Sequence, residues 1–255
     1  MSITSERFGY QWNKYNKLAP LYKDWLINWI GPLTPEDFKN KRVLDVGCGM
    51  GRLSYWVLKW GASSTVSFDY DERSVAATRE TLKEFNNAEV LFESAFDIKW
   101  KNEFDITFSI GVIHHLEYPR LAVENMVRAL KPGGTFLIWI YSREGFGWYL
   151  WFFNPLRKYF TSKLPLSFVH MFAHLFAIPL WVFVKIFKGP GAYFKQLSEL
   201  PYWFIHLNTF DQLIPEVANY WTKDEVRELV TGIGLKEFEI YRPKNESGWI
   251  VVGKK

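Results

Sequence analysis

The chain has a single cysteine, Cys48, in 255 residues. One thiol excludes a disulfide framework, an intramolecular redox pair and zinc sites built from paired CxxC motifs, and it fits a reducing compartment. An apolar run before Trp25 is also lacking, so no signal or transit peptide is read and a cytoplasmic location is expected. Internal repeats and low-complexity tracts are absent. Acid is scarce in the middle: between Gly145 and Phe210, Glu199 alone faces Arg157, Lys158, Lys163, Lys185, Lys188 and Lys195, a local charge of +5. The rest is about neutral, since the whole carries +4. With 48% hydrophobic and 23% charged residues, extended disorder is excluded and a globular protein of one to two domains is expected.

Aromatics are plentiful and unevenly spread, with 22 of the 48 falling between residues 142 and 221. Such an excess points to a binding or membrane-contacting surface. Before it, short β-rich runs alternate with helical ones. The strands are Arg42 to Val46, Ser64 to Phe68, Ala88 to Phe92, Phe104 to Ile110 and Thr135 to Ile140. The helices are Leu53 to Trp60, Glu72 to Phe85 and Arg120 to Leu130. This alternation predicts an α/β fold with a doubly wound, mostly parallel sheet.

Four segments follow: a helical cap over residues 1–40, a core over 41–141, an aromatic-rich helical insert over 142–221, and a closing helix and strands over 222–255. In the cap, Leu18, Leu21, Tyr22, Trp25, Leu26 and Trp29 recur at helical spacing until Pro32 and Pro35 end the helix. In the last segment, Thr222-Lys223-Asp224-Glu225 reads as a capping box. Leu235 to Tyr241 and Trp249 to Val252 read as an antiparallel hairpin.

The chemistry begins at Val43-Leu44-Asp45-Val46-Gly47-Cys48-Gly49-Met50-Gly51, a hydrophobic strand running into three alternating glycines and then a helix. Such a turn lets a ligand lie against bare amides at a helix N-terminus. Asp69 stands 22 residues after Gly47 at the end of the next strand, where a carboxylate can accept both hydroxyls of a ribose. The turn is GxGxG, not the dinucleotide GxGxxG, and a carboxylate at Asp45 suits a cationic ligand better than a pyrophosphate.

At these residues the sequence resembles the class I S-adenosylmethionine-dependent methyltransferases, whose first motif looks like V-L-D-x-G-C-G-x-G. Ser67-Phe68-Asp69-Tyr70, Glu93-Ser94-Ala95-Phe96-Asp97, the run from Phe104 to Leu116, and Leu130-Lys131-Pro132-Gly133-Gly134 match later landmarks of that family. The resemblance implies S-adenosyl-L-methionine as cofactor. It assigns Asp45, Gly47 and Gly49 to the methionine half, Asp69 to the ribose and Tyr70 to the adenine face. The backbone near Ala95 and Phe96 meets the adenine edge, and Cys48, Gly51 and Ile110 complete the set. Many relatives have an Asp before Ala95 where this chain has Ser94, so either Ser94 or Asp97 meets the adenine amine.

His114 and His115 follow the fourth strand at the rim where ligands bind in such sheets. A histidine there is suited to take a proton from a hydroxyl acceptor, with His115 the first choice and His114 the second. The other reading is that both shape the loop. The Asn/Asp-Pro-Pro-aromatic tetrad of relatives acting on planar amines is lacking, which argues against base amino groups and glutamine amides. Cys48, inside the turn, is poorly placed for carbon-5 pyrimidine chemistry.

The insert leaves the carboxyl end of the fifth strand and is therefore positioned as a lid over the acceptor. Leu164 to Val184 has no charged residue and is long enough to cross a bilayer. Topology argues against a crossing, because the residues after Thr222 must rejoin the same sheet and Phe146 to Leu156 is too short to return. The spacing sets Phe168, Phe172, Leu175, Phe176 and Phe183 on one side. Ser167, His170, His174, Trp181, Lys185 and Lys188 lie nearer the other, as in a helix lying in an interface. Pro179 is expected to kink or split it. Two readings stand: docking on anionic lipid to admit an apolar or lipid-linked acceptor, or packing on the core or on a second subunit as a homodimer.

His170 and His174 are four apart, but the sequence offers no third ligand and His206 carries no signal of its own, so no metal is expected. Arg7-Phe8-Gly9-Tyr10-Gln11-Trp12 resembles the opening of some bacterial relatives whose cap closes over the cofactor. Tyr10, Trp12 and Tyr22 are then candidates to line it, or else aromatics of the helix core. The expected function is methyl transfer to an apolar or amphiphilic small molecule, at oxygen first and carbon second. Nucleic acid is not expected as a partner, although an RNA methyltransferase is one alternative. The other is a membrane-peripheral cofactor-binding protein without catalysis.

Overall fold

The computed structural model describes residues 7–9, 21–145, 147–189 and 191–255. At its centre is a seven-stranded sheet of β1 (Arg42–Val46), β2 (Ser64–Asp69), β3 (Ala88–Phe92), β4 (Phe104–Ile110), β5 (Leu130–Tyr141), β6 (Glu237–Tyr241) and β7 (Gly248–Lys254). Their order is β3-β2-β1-β4-β5-β7-β6. The pairings among β1 to β5 are parallel, and β7 lies antiparallel to both β5 and β6. The doubly wound sheet with a closing hairpin is therefore as expected from the strand and helix alternation.

The helices α1 (Leu21–Ile30), α2 (Arg52–Lys59), α3 (Glu72–Leu82), α4 (Pro119–Ala129) and α9 (Lys223–Val230) cover the sheet. Two apolar cores result, one on each face. Leu44, Val66, Phe104, Phe136 and Val251 meet α4 and α9 on one side. On the other, Val43, Ile106, Phe108 and Leu137 meet α1 and α2. Adjacent strand residues alternate between the two cores, as the pleat requires. The capping box at α9 is present, with the Thr222 hydroxyl accepting from the Glu225 amide and the Glu225 carboxylate accepting from the Thr222 amide.

The insert leaves and re-enters at one point. Ser142 bridges Trp221, the Trp221 amide donates to the Tyr141 carbonyl at 3.2 Å and the Arg143 amide to the Trp221 carbonyl at 3.0 Å. Between them lie α5 (Gly147–Tyr159), α6 (Leu166–Phe187), α7 (Gly191–Glu199) and α8 (Tyr202–Leu213). Their apolar interior is shared with the cap: Trp25 packs with Ala177, Val184, Leu197 and Phe204, and Phe8 joins Val169, Ala173 and Phe210. Cap and insert thus form one body over the sheet edge.

Of the kink or split expected at Pro179, the split does not occur: α6 continues through Pro179, which sits on its exposed side, where the carbonyl it leaves unbonded remains open to water. The division of its faces drawn from the spacing is not kept, since Ser167, Lys185 and Lys188 are exposed together with Phe168, Leu175 and Phe183. His170 and His174 turn toward α8, while the outward stripe is Phe168, Met171, Leu175, Ile178, Val182 and Ile186. Phe172 and Phe176, grouped by the spacing with Phe168 and Leu175, are half-buried in the insert. Among the described residues, α6 is the one helix long and apolar enough to cross a membrane, and it packs a thin stripe of Val169, Ala173, Ala177 and Val184 against the body.

Candidate active site

The strand order reverses between β1 and β4, and a ligand crevice is expected beyond their carboxyl ends. A cavity of about 740 Å³ opens there. Its floor is the glycine turn. Gly47 adopts φ +79°, and a β-carbon on it would lie 2.6 Å from the Val112 methyls, so only glycine fits. The Gly47 and Cys48 amides donate to the Phe68 carbonyl at 3.0 and 2.9 Å, and the Gly49 amide donates to Asp69 Oδ2 at 3.0 Å. Asp69 also accepts the Asp71 amide at 3.1 Å. Burial pushes the Asp69 carboxyl up to about 7, against the pull of these hydrogen bonds. A ligand bringing positive charge or hydroxyl donors to this wall would favour the ionised form.

Tyr70 stacks on Phe92 at 5.3 Å along one side of the cavity. The loop Ser94-Ala95-Phe96 forms the other. Asn125 Nδ2 donates to the Ala95 and Phe96 carbonyls at 3.1 and 2.8 Å, and Ser94 Oγ accepts the Phe96 amide at 3.1 Å. Ser94 and Asp97 both stand in the wall, so both remain able to meet a polar edge. Ile110 closes the floor. The residues present fit the cofactor: a carboxylate at ribose position, a glycine turn whose bare backbone stands in the cavity floor, and an aromatic with a fixed loop for a planar base.

Three of the expected site residues stand outside the wall. Asp45 is fully buried under the turn, with Ser54 donating to its Oδ2 at 2.7 Å, and burial pushes its carboxyl up to about 7. Its side chain points between β1 and α2, so it supports the turn in place of lining the cavity. Gly51 caps α2 at φ +78°, and a β-carbon there would lie 2.8 Å from Thr78 Cγ2; its role is helix packing. His114 is fully buried and stacked on Tyr141 at 3.6 Å, and burial holds its imidazole well below the ordinary range.

His115 does line the cavity. Its Nδ1 lies 2.8 Å from the Val217 carbonyl, which only accepts, so Nδ1 carries the proton and Nε2 the lone pair. Burial holds the imidazole down at about 4, and it stays neutral through the physiological range. The loop that carries it is clamped by the end of the insert: the Asn219 amide donates to the His114 carbonyl at 2.8 Å, and Asn219 Nδ2 to the Leu116 carbonyl at 3.3 Å.

Beyond His115 the cavity continues under the insert. Its walls there are Trp25, Trp29, Phe176, Leu180, Phe194 and Phe204. Phe8 stands 4.8 Å from the His115 ring. The cap therefore does line the site, through Phe8, Trp25 and Trp29; Tyr10, Trp12 and the side chain of Tyr22 lie outside the described residues. A polar chain that sequence reading missed crosses the same region. Arg157 Nη1 donates to the Tyr220 hydroxyl at 3.2 Å, which donates to Gln212 Oε1 at 3.1 Å, and Gln212 Nε2 donates to the Tyr141 hydroxyl at 3.1 Å. Tyr141 ends β5 on the ligand-binding rim, the one signal that could have found it.

Residues 44–138 match the family described as "Methyltransferase domain". A stretch of 108 residues is 30% identical to the mitochondrial ubiquinone biosynthesis O-methyltransferase of Dictyostelium discoideum, covering 38% of this chain and 34% of that protein. A stretch of 121 residues is 31% identical to the tRNA U34 carboxymethyltransferase of Helicobacter pylori strain Shi470, covering 45% of this chain and 46% of that one. The chain thus spans a third to a half of the length of these curated relatives. The fold is shared with a SAM-dependent methyltransferase from Aquifex aeolicus, at a TM-score of 0.52 and 18% identity over 93% of this chain and 99% of that one. Turn, acidic strand end and sheet order agree with these likenesses, and residues 44–138 are a methyltransferase domain of the class I, Rossmann-like, S-adenosylmethionine-dependent kind.

Proposed function

We propose that the chain transfers the methyl group of S-adenosylmethionine to an oxygen of an apolar or amphiphilic small molecule that enters from an anionic membrane surface. The observation that carries this reading is the continuity of one cavity from Gly47, Gly49 and Asp69 to the apolar underside of the insert, with His115 between the two ends. When bound, the cofactor supplies an electrophilic methyl group. In-line displacement then needs chiefly alignment, which the rigid turn and the insert provide, and a dry site, which the apolar roof provides. The acceptor oxygen gains the methyl group and its proton passes to Nε2 of His115. Carbon methylation of an aromatic ring uses the same pocket and base.

The outer face of the insert supports the membrane part. Trp151 is 81% exposed, Phe187 69% and Met171 64%, and Lys158, Lys163, Lys185, Lys188 and Lys195 are exposed around them. Apolar side chains ringed by lysine match an anionic bilayer surface, the first by burial in acyl chains and the second by attraction to headgroups. The chain is then a membrane-associated protein of the cytoplasmic side. The name of the Helicobacter relative supports a second reading, in which tRNA is the acceptor.

Calorimetric titration with S-adenosylmethionine and S-adenosylhomocysteine tests the cofactor. An acceptor screen with labelled cofactor, offering phenolic lipids in vesicles beside unmodified tRNA, tests the rest. Label in the lipid is the expected result. Label in tRNA alone would replace the small-molecule reading, and micromolar cofactor binding without transfer to any acceptor would favour a binding protein without catalysis.

A further inference from the structure

The fold brings together three histidines that lie far from one another in chemical signal. His170 and His174 are one turn apart on α6, and His206 on α8 meets both, with ring centroids 4.6 and 4.0 Å away. One donor nitrogen from each of the three lies within 4.8 Å of the others. The expectation of no third ligand is thereby corrected: α8 supplies it from 32 residues further along the chain.

We propose that His170, His174 and His206 form a binding site for a divalent transition-metal ion, zinc before others, which staples α6 to α8. Tetrahedral zinc takes imidazole nitrogens at about 2.0–2.1 Å, which sets its ligands roughly 3.3 Å apart. Small rotations of the two half-buried rings on α6 toward the buried His206 reach that from 4.8 Å. The rings are already held from behind. His206 Nε2 lies 3.1 Å from the His170 carbonyl, so that nitrogen carries the proton and Nδ1 is the coordinating atom. The Tyr202 hydroxyl hydrogen-bonds to His174 Nδ1, which directs Nε2 to the metal. Such outer partners orient ligands in zinc sites generally.

The donor set selects the ion. It is all imidazole with no carboxylate in the cluster, which suits zinc, copper, nickel or cobalt and not calcium or magnesium. Solvent completes the fourth position. None of the three histidines lines the large cavity, so the ion braces the insert and takes no part in methyl transfer. The inference is independent of the acceptor reading above.

The test uses the full chain, stripped with a chelator and titrated with cobalt(II), then with zinc. One equivalent of cobalt should give the intense visible bands of a tetrahedral site, and zinc should displace it. Zinc should also raise Tm, by an amount that grows with the logarithm of its excess over Kd. His170→Gln and His174→Gln, at half-buried positions, should each abolish the bands while leaving the far-ultraviolet circular dichroism and cofactor binding unchanged. Tyr202→Phe should retain the bands with affinity lowered roughly 10–100-fold. No cobalt binding at 100 µM metal (roughly the extracellular calcium-module range of weakness), or bands that survive in the His170→Gln, His174→Gln double variant, would overturn the proposal.

Discussion

In the sheet domain the large apolar side chains face inward, and the polar ones near the site are tied to fixed partners: Asp69 to the Gly49 amide, Asn125 to the Ala95 and Phe96 carbonyls, Ser54 to Asp45. The insert does the reverse, with Phe168, Met171, Leu175, Ile178, Val182 and Ile186 turned to solvent while histidines and Arg157 lie inward. A core of this kind is stable in water by itself, whereas a surface of this kind gains free energy when something apolar covers it. Under the proposed function, the comparison separates one task, holding the cofactor, from another, admitting the acceptor.

Breaking the first region should have the largest effect. Asp69→Ala removes the acceptor at the end of β2 and leaves Gly49 N–H unpaired, and cofactor affinity should fall on the order of a hundredfold or more, the ~3 kcal/mol of charged hydrogen bonds. Calorimetry reads it directly. Unchanged affinity would detach the cofactor from this wall. Next in size, His115→Ala should lower kcat by roughly a hundredfold, the low end for a general base, with cofactor affinity retained. A kcat within a factor of three of the wild type would remove the base and leave alignment to do the chemistry.

Replacing Phe168, Met171, Leu175 and Ile178 by serine should sharpen the contrast between the regions. Co-sedimentation with anionic vesicles should drop severalfold while cofactor binding holds, because none of the four lines the cavity. High salt should weaken the wild type's binding through its lysines, and binding equal on neutral vesicles would discard the electrostatic part.

The smallest effect is on pH. The Asp69 carboxyl is raised to about 7, so in the free protein it binds a proton below that pH, and a cationic ligand beside it must expel the proton. Cofactor affinity should therefore rise as pH increases from 6 to 8 and level off above, by roughly tenfold at most. Asp69→Asn should flatten the curve. The His115 imidazole, held at about 4, should leave the acid limb of kcat below pH 5.

The core was legible because backbone rules speak through local residues: GxGxG after an apolar strand, Asp69 at the next strand end and Thr222 to Glu225 at a helix start. Depth was not legible in the same way. Spacing gave the position of Asp45 and His114 along the chain, but which side chain reaches the cavity depends on pleat direction and on a 3-10 turn at Ile113–His115, which packs His114 inward and leaves His115 in the wall. The insert was less legible. Its helix carries apolar residues nearly all round, so periodicity could not say which face meets α8, and the approach of His206 to His170 and His174 is a tertiary event with no local trace.

The most direct measurement is transfer of labelled methyl from S-adenosylmethionine to a phenolic lipid in anionic vesicles, run with wild type and His115→Ala side by side. The expected result is label in the lipid fraction for the wild type, as an ether, and a loss of roughly a hundredfold in the variant. Label in water-soluble acceptors alone, or equal rates for the two proteins, would contradict the assignment of this cavity to base-assisted methylation of a membrane-borne oxygen.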